Sequence, residues 1–228
     1  MTTLAVVLPT LDEAAGIEST LAALAPLRAR GVEILVVDGG SRDGTPRFAA
    51  PLADNVLTGE RGRARQMNAG AAATRTEVLL FLHADTRLPT DADQRVVDAV
   101  QRGALWGRFD VRIDGRSRWL PLVAALMNLR SRLTGIATGD QAIFVTREAF
   151  THVGGFPDQP LMEDVEISRR LRRLARPACL RDKVVTSGRR WDRHGAWRTI
   201  ALMWRLRWAY WRGTPAQELA RRYAGGSA

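Results

Sequence analysis

Short apolar runs alternate with stretches of helical periodicity in the first half of this chain, and each run ends in a turn that bears a carboxylate. The runs are Leu4–Leu8, Glu33–Val37 and Glu77–Leu82. After the first, Ile17, Leu21 and Leu24 recur at helical spacing, with a stop at Gly31. After the third, Val96, Val97 and Val100 do the same up to Gly103, and Asp93 is the expected cap. A short helix around Pro46 to Ala50 and a short strand near Asn55–Leu57 are expected between them. Runs that are apolar throughout need cover on both faces, and their alternation with helices specifies an α/β fold: a mostly parallel sheet flanked by helices. Ligands of such sheets sit beyond the carboxyl ends of the strands. Asp38, Asp43 and Asp85 all lie just after expected strands.

The second half changes pattern. Leu105, Phe109, Val111 and Ile113 alternate with Arg108, Asp110 and Arg112, which predicts a half-exposed, antiparallel strand. A helix over Leu120–Leu133, the turn Gly139-Asp140-Gln141, a strand over Ala142–Val145 and a helix over Asp164–Ala175 follow, the last with Ile167, Leu171 and Leu174 facing inward. No internal repeat or linker divides the chain, and 228 residues suit one domain with an antiparallel elaboration and a C-terminal helical segment. That segment holds five of the seven tryptophans, at 191, 197, 204, 208 and 211, interleaved with arginines. It is expected to pack its aromatic side on the domain; a helix lying on a bilayer surface or a nucleic-acid surface is the alternative.

Totals narrow the function classes. The single cysteine, Cys179, excludes an internal disulfide and a cysteine zinc site. No apolar window reaches the roughly 18 residues of a membrane span. Met1-Thr2-Thr3-Leu4 has no basic stretch before an apolar run that stops at Pro9, so no signal peptide is expected. Together these predict a cytoplasmic protein, at most peripheral to the inner membrane face. The net charge of +10 rests on arginine, Lys183 being the only lysine, and suits an anionic partner or a solvated basic surface.

Several clusters can carry chemistry. Asp38-Gly39-Gly40-Ser41-Arg42-Asp43 leaves a buried strand with two carboxylates and small residues, which suits close approach of a ribose or base and equally suits an ordinary turn. Gly59–Gly70 places Arg61, Arg63 and Arg65 beside glycines at a helix start, which suits a diphosphate cradle without the spacing of a P-loop, a solvated basic loop being the alternative. His83-Ala84-Asp85 ends a strand where an acidic residue can hold a divalent cation, although a lone Asp at a strand end is more often a helix cap or turn former. Glu163-Asp164 opens a helix, as a capping pair or as a general base, and Asp140 is a second acid for the same cleft.

Taken together and in order, these stretches resemble the inverting family 2 glycosyltransferases of GT-A (Rossmann-like) fold, over roughly residues 4 to 195. Pro9-Thr10-Leu11-Asp12-Glu13 is similar to the family's first nucleotide loop, and Val37–Thr45 to its uridine-binding loop. Phe81-Leu82-His83-Ala84-Asp85 stands in the place of the metal-binding Asp-x-Asp, and Met162-Glu163-Asp164 resembles the pair whose Asp is the catalytic base. Gly62–Gly70, Leu82–Thr86, Gly139–Phe144 and Arg189-Arg190-Trp191 are also similar to a bacterial subgroup often assigned, by gene context, to arsenosugar biosynthesis or radical-SAM-associated clusters.

The resemblance implies a nucleotide-binding half over residues 1–103, an acceptor and catalytic half over 104–190 and a helical tail over 191–228. It implies a UDP- or GDP-linked sugar donor held by Pro9, Thr10, Leu11, Glu13, Asp38, Gly39, Gly40, Ser41, Arg61, Gly62, Arg65, Asn68, His83, Ala84 and Asp85. It further implies a hydroxyl acceptor, a divalent cation (Mn2+ or Mg2+) on Asp85, and Asp164 as base with Glu163 and Asp140 beside it. His194 is the candidate to complete the metal site, a surface or core histidine being the equal alternative.

The sequence departs from the family pattern at three places. His83 replaces the first Asp of Asp-x-Asp, Asp12 replaces an Asn, and Ser187 stands where processive synthases carry the Gln of Gln-x-x-Arg-Trp. The last argues against polymer synthesis. Among rivals, a sugar-phosphate nucleotidyltransferase would need a glycine-rich, basic loop after the first strand, where Pro9–Glu13 is acidic and lacks glycine. A nucleic-acid-binding module is distinguished by salt-steep binding to oligonucleotides, and no nucleic acid is expected. A sugar-nucleotide-binding protein without catalysis is distinguished by transfer assays.

Overall fold

The computed structural model describes residues 2–225, apart from the side chains of Arg190, His194, Ala196 and Ala224. The first half is built from β1 (Leu4–Thr10), α1 (Ala14–Ala29), β2 (Glu33–Asp38), α2 (Thr45–Ala49), β3 (Asn55–Thr58), α3 (Arg63–Ala73) and β4 (Val78–Phe81). The second adds β5 (Thr86–Arg87), α4 (Ala92–Gln101), β6 (Trp106–Asp114), α5 (Leu120–Thr134), a 3-10 turn over Gly139–Gln141, β7 (Ile143–Thr146), α6 (Arg147–His152), α7 (Glu163–Leu174), β8 (Ala178–Ser187), α8 (Arg189–His194), α9 (Ala196–Trp211) and α10 (Ala216–Gly225). The strands form one mixed sheet in the order β3-β2-β1-β4-β7-β6-β8-β5.

The expected parallel unit is present: β3, β2, β1 and β4 are mutually parallel neighbours. Their side chains divide by the two-residue period of a strand. Leu4, Val6 and Leu8 join one core layer with Ile17, Leu21 and Leu24 of α1, while Ala5 and Val7 join the other with Ala64 and Met67 of α3. Both faces are covered, which is why these strands read as unbroken apolar runs. Gly70 lets α3 lie close on the sheet, because a Cβ there would run into Val7 and Val37.

Beyond β4 the chain reverses. β7 pairs antiparallel with both β4 and β6, and β8 runs parallel to β6 and antiparallel to β5. β6 is therefore antiparallel on one edge only. It is half-exposed only at its end, where Arg112 and Asp114 face water and alternate with the buried Val111 and Ile113; Trp106 to Val111 are all buried, and Arg108 is 0% accessible. Arg108 is tolerated inside because Asp110 pairs with it while Ser131 Oγ, at 3.1 Å, and the Asn128 carbonyl, at 3.2 Å, accept its other N–H groups. A buried charge without such partners would be strongly destabilising. Up to Asp110, the alternation read as one face in water is instead a polar seam shared with α5.

Asp93 is not the cap of α4. Asp91 occupies that position with no side-chain cap bond, and both Asp93 oxygens are held at 2.7 Å by Arg30. β5, α6 and β8 had no counterpart in the sequence reading. The C-terminal segment is helical as expected and Trp191 packs on the domain, but α9 packs the other way round. Leu206 and Ala209 of α9 face inward onto Met162 and Leu219, and Trp197, Trp204, Trp208 and Trp211 face solvent. The described residues include no helix long and apolar enough to cross a membrane.

Candidate active site

The loops after β1 and β2 are stitched into one wall at the carboxyl end of the sheet. The Asp12 amide donates to Ser41 Oγ, the Arg42 amide to Asp12 Oδ1 and the Ala14 amide to Asp43 Oδ2, each at 2.8 Å. Glu13 N–H reaches Thr45 Oγ1 at 2.9 Å, and Gly39 N–H reaches the Thr10 carbonyl at 2.9 Å. Asp38 is only 2% exposed; its carboxylate accepts the Gly40 and Ser41 amides at 2.9 and 2.8 Å and the hydroxyls of Ser41 and Thr10. It shapes the loop that carries Gly39, Gly40 and Ser41, and Gly40 takes the left-handed conformation that the turn requires. Pro9 and Thr10 close β1 beneath this wall, and Leu11 follows them at its surface.

Gln66, to which the sequence reading gave no role of its own, holds the wall to α3. Its Nε2 donates to the carbonyls of Thr10 at 2.8 Å and Val37 at 2.7 Å. Gly62 and the start of α3 therefore sit against both loops, with Arg61 exposed beside them. Two other cradle residues are engaged elsewhere. Arg65 pairs with Asp158 at 2.7 Å and Glu60 at 2.8 Å, and Asn68 clamps the backbone of Phe156. Arg63 reaches across to Glu163 at 3.1 Å.

The third wall is the end of β4. The backbone around Asp85 is fixed: the Ala84 carbonyl accepts Thr20 Oγ1 at 2.6 Å, and the Asp85 carbonyl accepts the Ser187 amide at 3.2 Å. The Asp85 side chain stays 34% exposed, with Arg189 Nη2 3.8 Å away and the same nitrogen 3.6 Å from Glu13. Glu13 has its pKa raised, mainly by burial and also by Asp85 and Asp43, against the opposing charge of Arg189. Glu13, Asp43 and Asp85 thus share an acidic rim bridged by Arg189, whose motif was visible in sequence but whose place was not.

The described residues hold no group of three or more side chains suited to a metal ion. A magnesium-type ion needs fewer, being held by one or two carboxylates with substrate phosphates and water, and the exposed Asp85 oxygens fit that donor set. His83 turns its Nδ1 to Asp140 at 3.3 Å, and the His194 side chain lies outside the described residues.

Asp164 stands on the fourth wall, in the first turn of α7. Its Oδ2 accepts the Gly139 amide at 2.9 Å and its Oδ1 the Val165 amide at 2.7 Å. Burial raises its pKa to about 6, the neighbouring Glu163 charge adds to the rise, and the Gly139 amide and Arg63 oppose it. With Glu163, His83, Gly139, Met67, Phe81, Ile143 and Phe156 it lines a small cleft. Asp85 and Asp164 are connected through the rim itself: His83 faces Asp140, and the adjacent Gly139 amide holds Asp164. Glu163 is 2% exposed and tied to Arg63. Arg130 of α5 is a further residue that sequence reasoning missed. Its Nε and Nη2 are buried without a hydrogen-bond partner among the described residues, and burial lowers its pKa against the pull of Asp164. Nothing in the α5 pattern marks it, since it reads as one more arginine on a helix.

A family model for glycosyl transferase family 2 matches residues 5–152. A search of curated proteins finds no match. Among solved structures, the chain is similar to a mycobacterial protein at 23% identity and a TM-score of 0.60, covering 82% of this chain and 65% of that one. It is similar to glucosyl-3-phosphoglycerate synthase from Mycobacterium tuberculosis in complex with Mg2+ and uridine diphosphate, at 24% identity and a TM-score of 0.61, covering 81% and 70%. It is also similar to S. aureus TarS residues 1–349, at 18% identity and a TM-score of 0.66, covering 88% and 65%. These likenesses show a GT-A glycosyltransferase fold.

Proposed function

From the premise that the chain belongs to glycosyl transferase family 2, we propose that it moves a sugar from a nucleoside diphosphate to an acceptor hydroxyl by single displacement with inversion. The observation that carries this reading is Asp164: a carboxylate in a cleft at the sheet rim, its pKa raised to about 6 and its orientation fixed by two backbone amides. A base poised near the working pH combines an available lone pair with a strong pull on the proton.

In this mechanism the loops of Pro9–Glu13 and Asp38–Ser41 receive the nucleoside, and Arg61 with the start of α3 faces the diphosphate. Asp85, with His83 beside it in the chain, would hold a divalent cation, and that ion would supply neutralisation of the charge developing on the departing diphosphate. Asp164 takes the acceptor's hydroxyl proton. The freed oxygen forms its bond to the anomeric carbon from the face opposite the diphosphate, and the breaking bond's electron pair leaves with the phosphate oxygen. Glu163, locked to Arg63, positions the start of α7, and Asp140 orients His83.

The solved neighbours support this choice of donor and cation: the M. tuberculosis synthase has been crystallised with uridine diphosphate and Mg2+, and TarS with UDP-GlcNAc. Ser187 in place of the processive Gln supports a single transfer per acceptor.

The Asp85→Ala variant tests the cation site. Uridine diphosphate affinity measured by calorimetry with manganese is expected to fall about 10–100-fold, as for lost metal-ligand support, while affinity in chelator stays at the wild-type value. Equal manganese-dependent affinity in the two proteins would remove Asp85 from the site. The base has its own signature. kcat/KM reports the free enzyme, so its acid limb should rise about tenfold per pH unit and level off above the Asp164 pKa of about 6. A profile flat from pH 5 to 8 (roughly the range of interest) would refute the assignment.

A further inference from the structure

Two helices of this domain turn apolar stripes to solvent. On α5, Leu122, Leu126, Leu129 and Leu133 follow one another at four- and three-residue steps along one face and are 50–78% exposed. On α9, Trp197, Trp204, Trp208 and Trp211 share one face in the same way and are 59–82% exposed. The stripes meet where the helices begin, with the rings of Trp119 and Trp197 at 5.3 Å. Eight large apolar side chains on neighbouring stripes exceed the scattered exposure normal for a soluble surface.

The charged residues of the two helices have one sign. Arg198 and Arg205 of α9 and Arg212 just past its end form a second row, each one residue after a tryptophan of the first. Arg118 lies over the ring of Trp119 and Arg212 over that of Trp208. Neither α5 nor α9 contains an acidic residue. A second copy of the chain laid on this face would set arginine rows against each other, whereas an anionic surface complements them. Tryptophan rings favour the boundary between lipid headgroups and hydrocarbon, and arginines can rest their stems on the apolar layer while the heads meet phosphates.

We propose that the α5–α9 face docks on an anionic lipid bilayer, with the tryptophan and leucine stripes inserted at the headgroup boundary. The opposite side of α9 packs Leu206 and Ala209 on Met162, the residue before Glu163-Asp164, so docking would hold the start of α7 close to the bilayer. The proposal does not depend on the transferase chemistry.

The test is flotation of the full chain with vesicles of phosphatidylcholine alone or with about 30% phosphatidylglycerol, an anionic lipid that basic residues seek. Wild type is expected to float with the anionic vesicles only, its tryptophan emission shifting to shorter wavelength. The double variants Trp204→Ser/Trp211→Ser and Leu126→Gln/Leu133→Gln should each weaken binding at least about tenfold, with unchanged thermal melts because the replaced side chains are exposed. Asp164→Asn should bind as wild type, which separates this result from any failure of the catalytic reading. Absence of flotation would overturn the proposal. So would a dimer by light scattering that the same double variants dissociate, since the face would then belong to a second copy.

Discussion

Asp164→Asn is expected to lower kcat by about 10²–10⁴-fold, the usual contribution of a positioned general base, while nucleotide affinity stays at the wild-type level. Asparagine keeps the shape and one oxygen to accept the Gly139 amide, and gives up only the acceptor for the Val165 amide of its own turn, so the cleft should persist. What it loses is a lone pair basic enough to take a hydroxyl proton. Single-turnover transfer measured beside calorimetric nucleotide binding separates the two effects. Turnover within a few-fold of wild type would end the base assignment.

The same substitution should raise thermal stability. The native carboxyl holds its proton up to a pKa of about 6, above the ordinary value near 3.9. Between these values the native state binds more protons than the unfolded chain, so the Asp164 contribution to stability falls as pH rises through that window. Above it the full cost of a buried charge beside Glu163 remains. At neutral pH the neutral amide removes that cost, and each kcal/mol regained raises the melting temperature by roughly 2–4 °C for a chain of this size. A gain at pH 7.5 (roughly neutral) that vanishes near pH 4 (about the unfolded carboxyl's pKa) is the expected signature. An active site that is less stable than it could be is the usual cost of keeping a reactive group poised.

Gly107→Ala should have the largest effect on the fold. Gly107 lies in β6 opposite Phe144 of β7 and Ala178 of β8. A Cβ there would collide with the Ala178 carbonyl oxygen and with the fully buried Phe144 ring. Backbone cannot swing aside as a flexible side chain can, and Phe144 is packed on both sides. Destabilisation of about 3 kcal/mol or more is expected, the upper end of over-packing costs. Thermal melts would show it as a large drop, and a melting temperature close to wild type would refute it. Because β8 ends at the Ser187 amide that holds the Asp85 carbonyl, partial displacement of this strand should also weaken manganese-dependent nucleotide binding.

The difference between these two substitutions reflects what each level of description contains. Asp164 is visible in the order of residues, because an acidic pair opening a helix is a local pattern, and the resemblance of Met162-Glu163-Asp164 to the family's pair separates a base from a helix cap. Gly107 is not, because its importance lies in two strands that arrive from residues 144 and 178. The same holds for Arg108, read as a solvent-facing residue from its alternation and found buried because Asp110, Ser131 and Asn128 satisfy it.

The covalent order alone determined the parallel β1–β4 unit, since runs apolar on both faces and short connecting helices admit few other arrangements. It also determined which loops form the rim, because strand ends are local events. Tertiary structure decided what that rim can do. It brought Arg189 between Glu13 and Asp85, left Arg130 Nε and Nη2 without a hydrogen-bond partner among the described residues, buried Asp38 beneath its own loop and turned the α9 tryptophans outward. Periodicity states that a helix has two faces; which face is covered depends on the surfaces that other segments have left exposed, and that is a property of the whole packed chain.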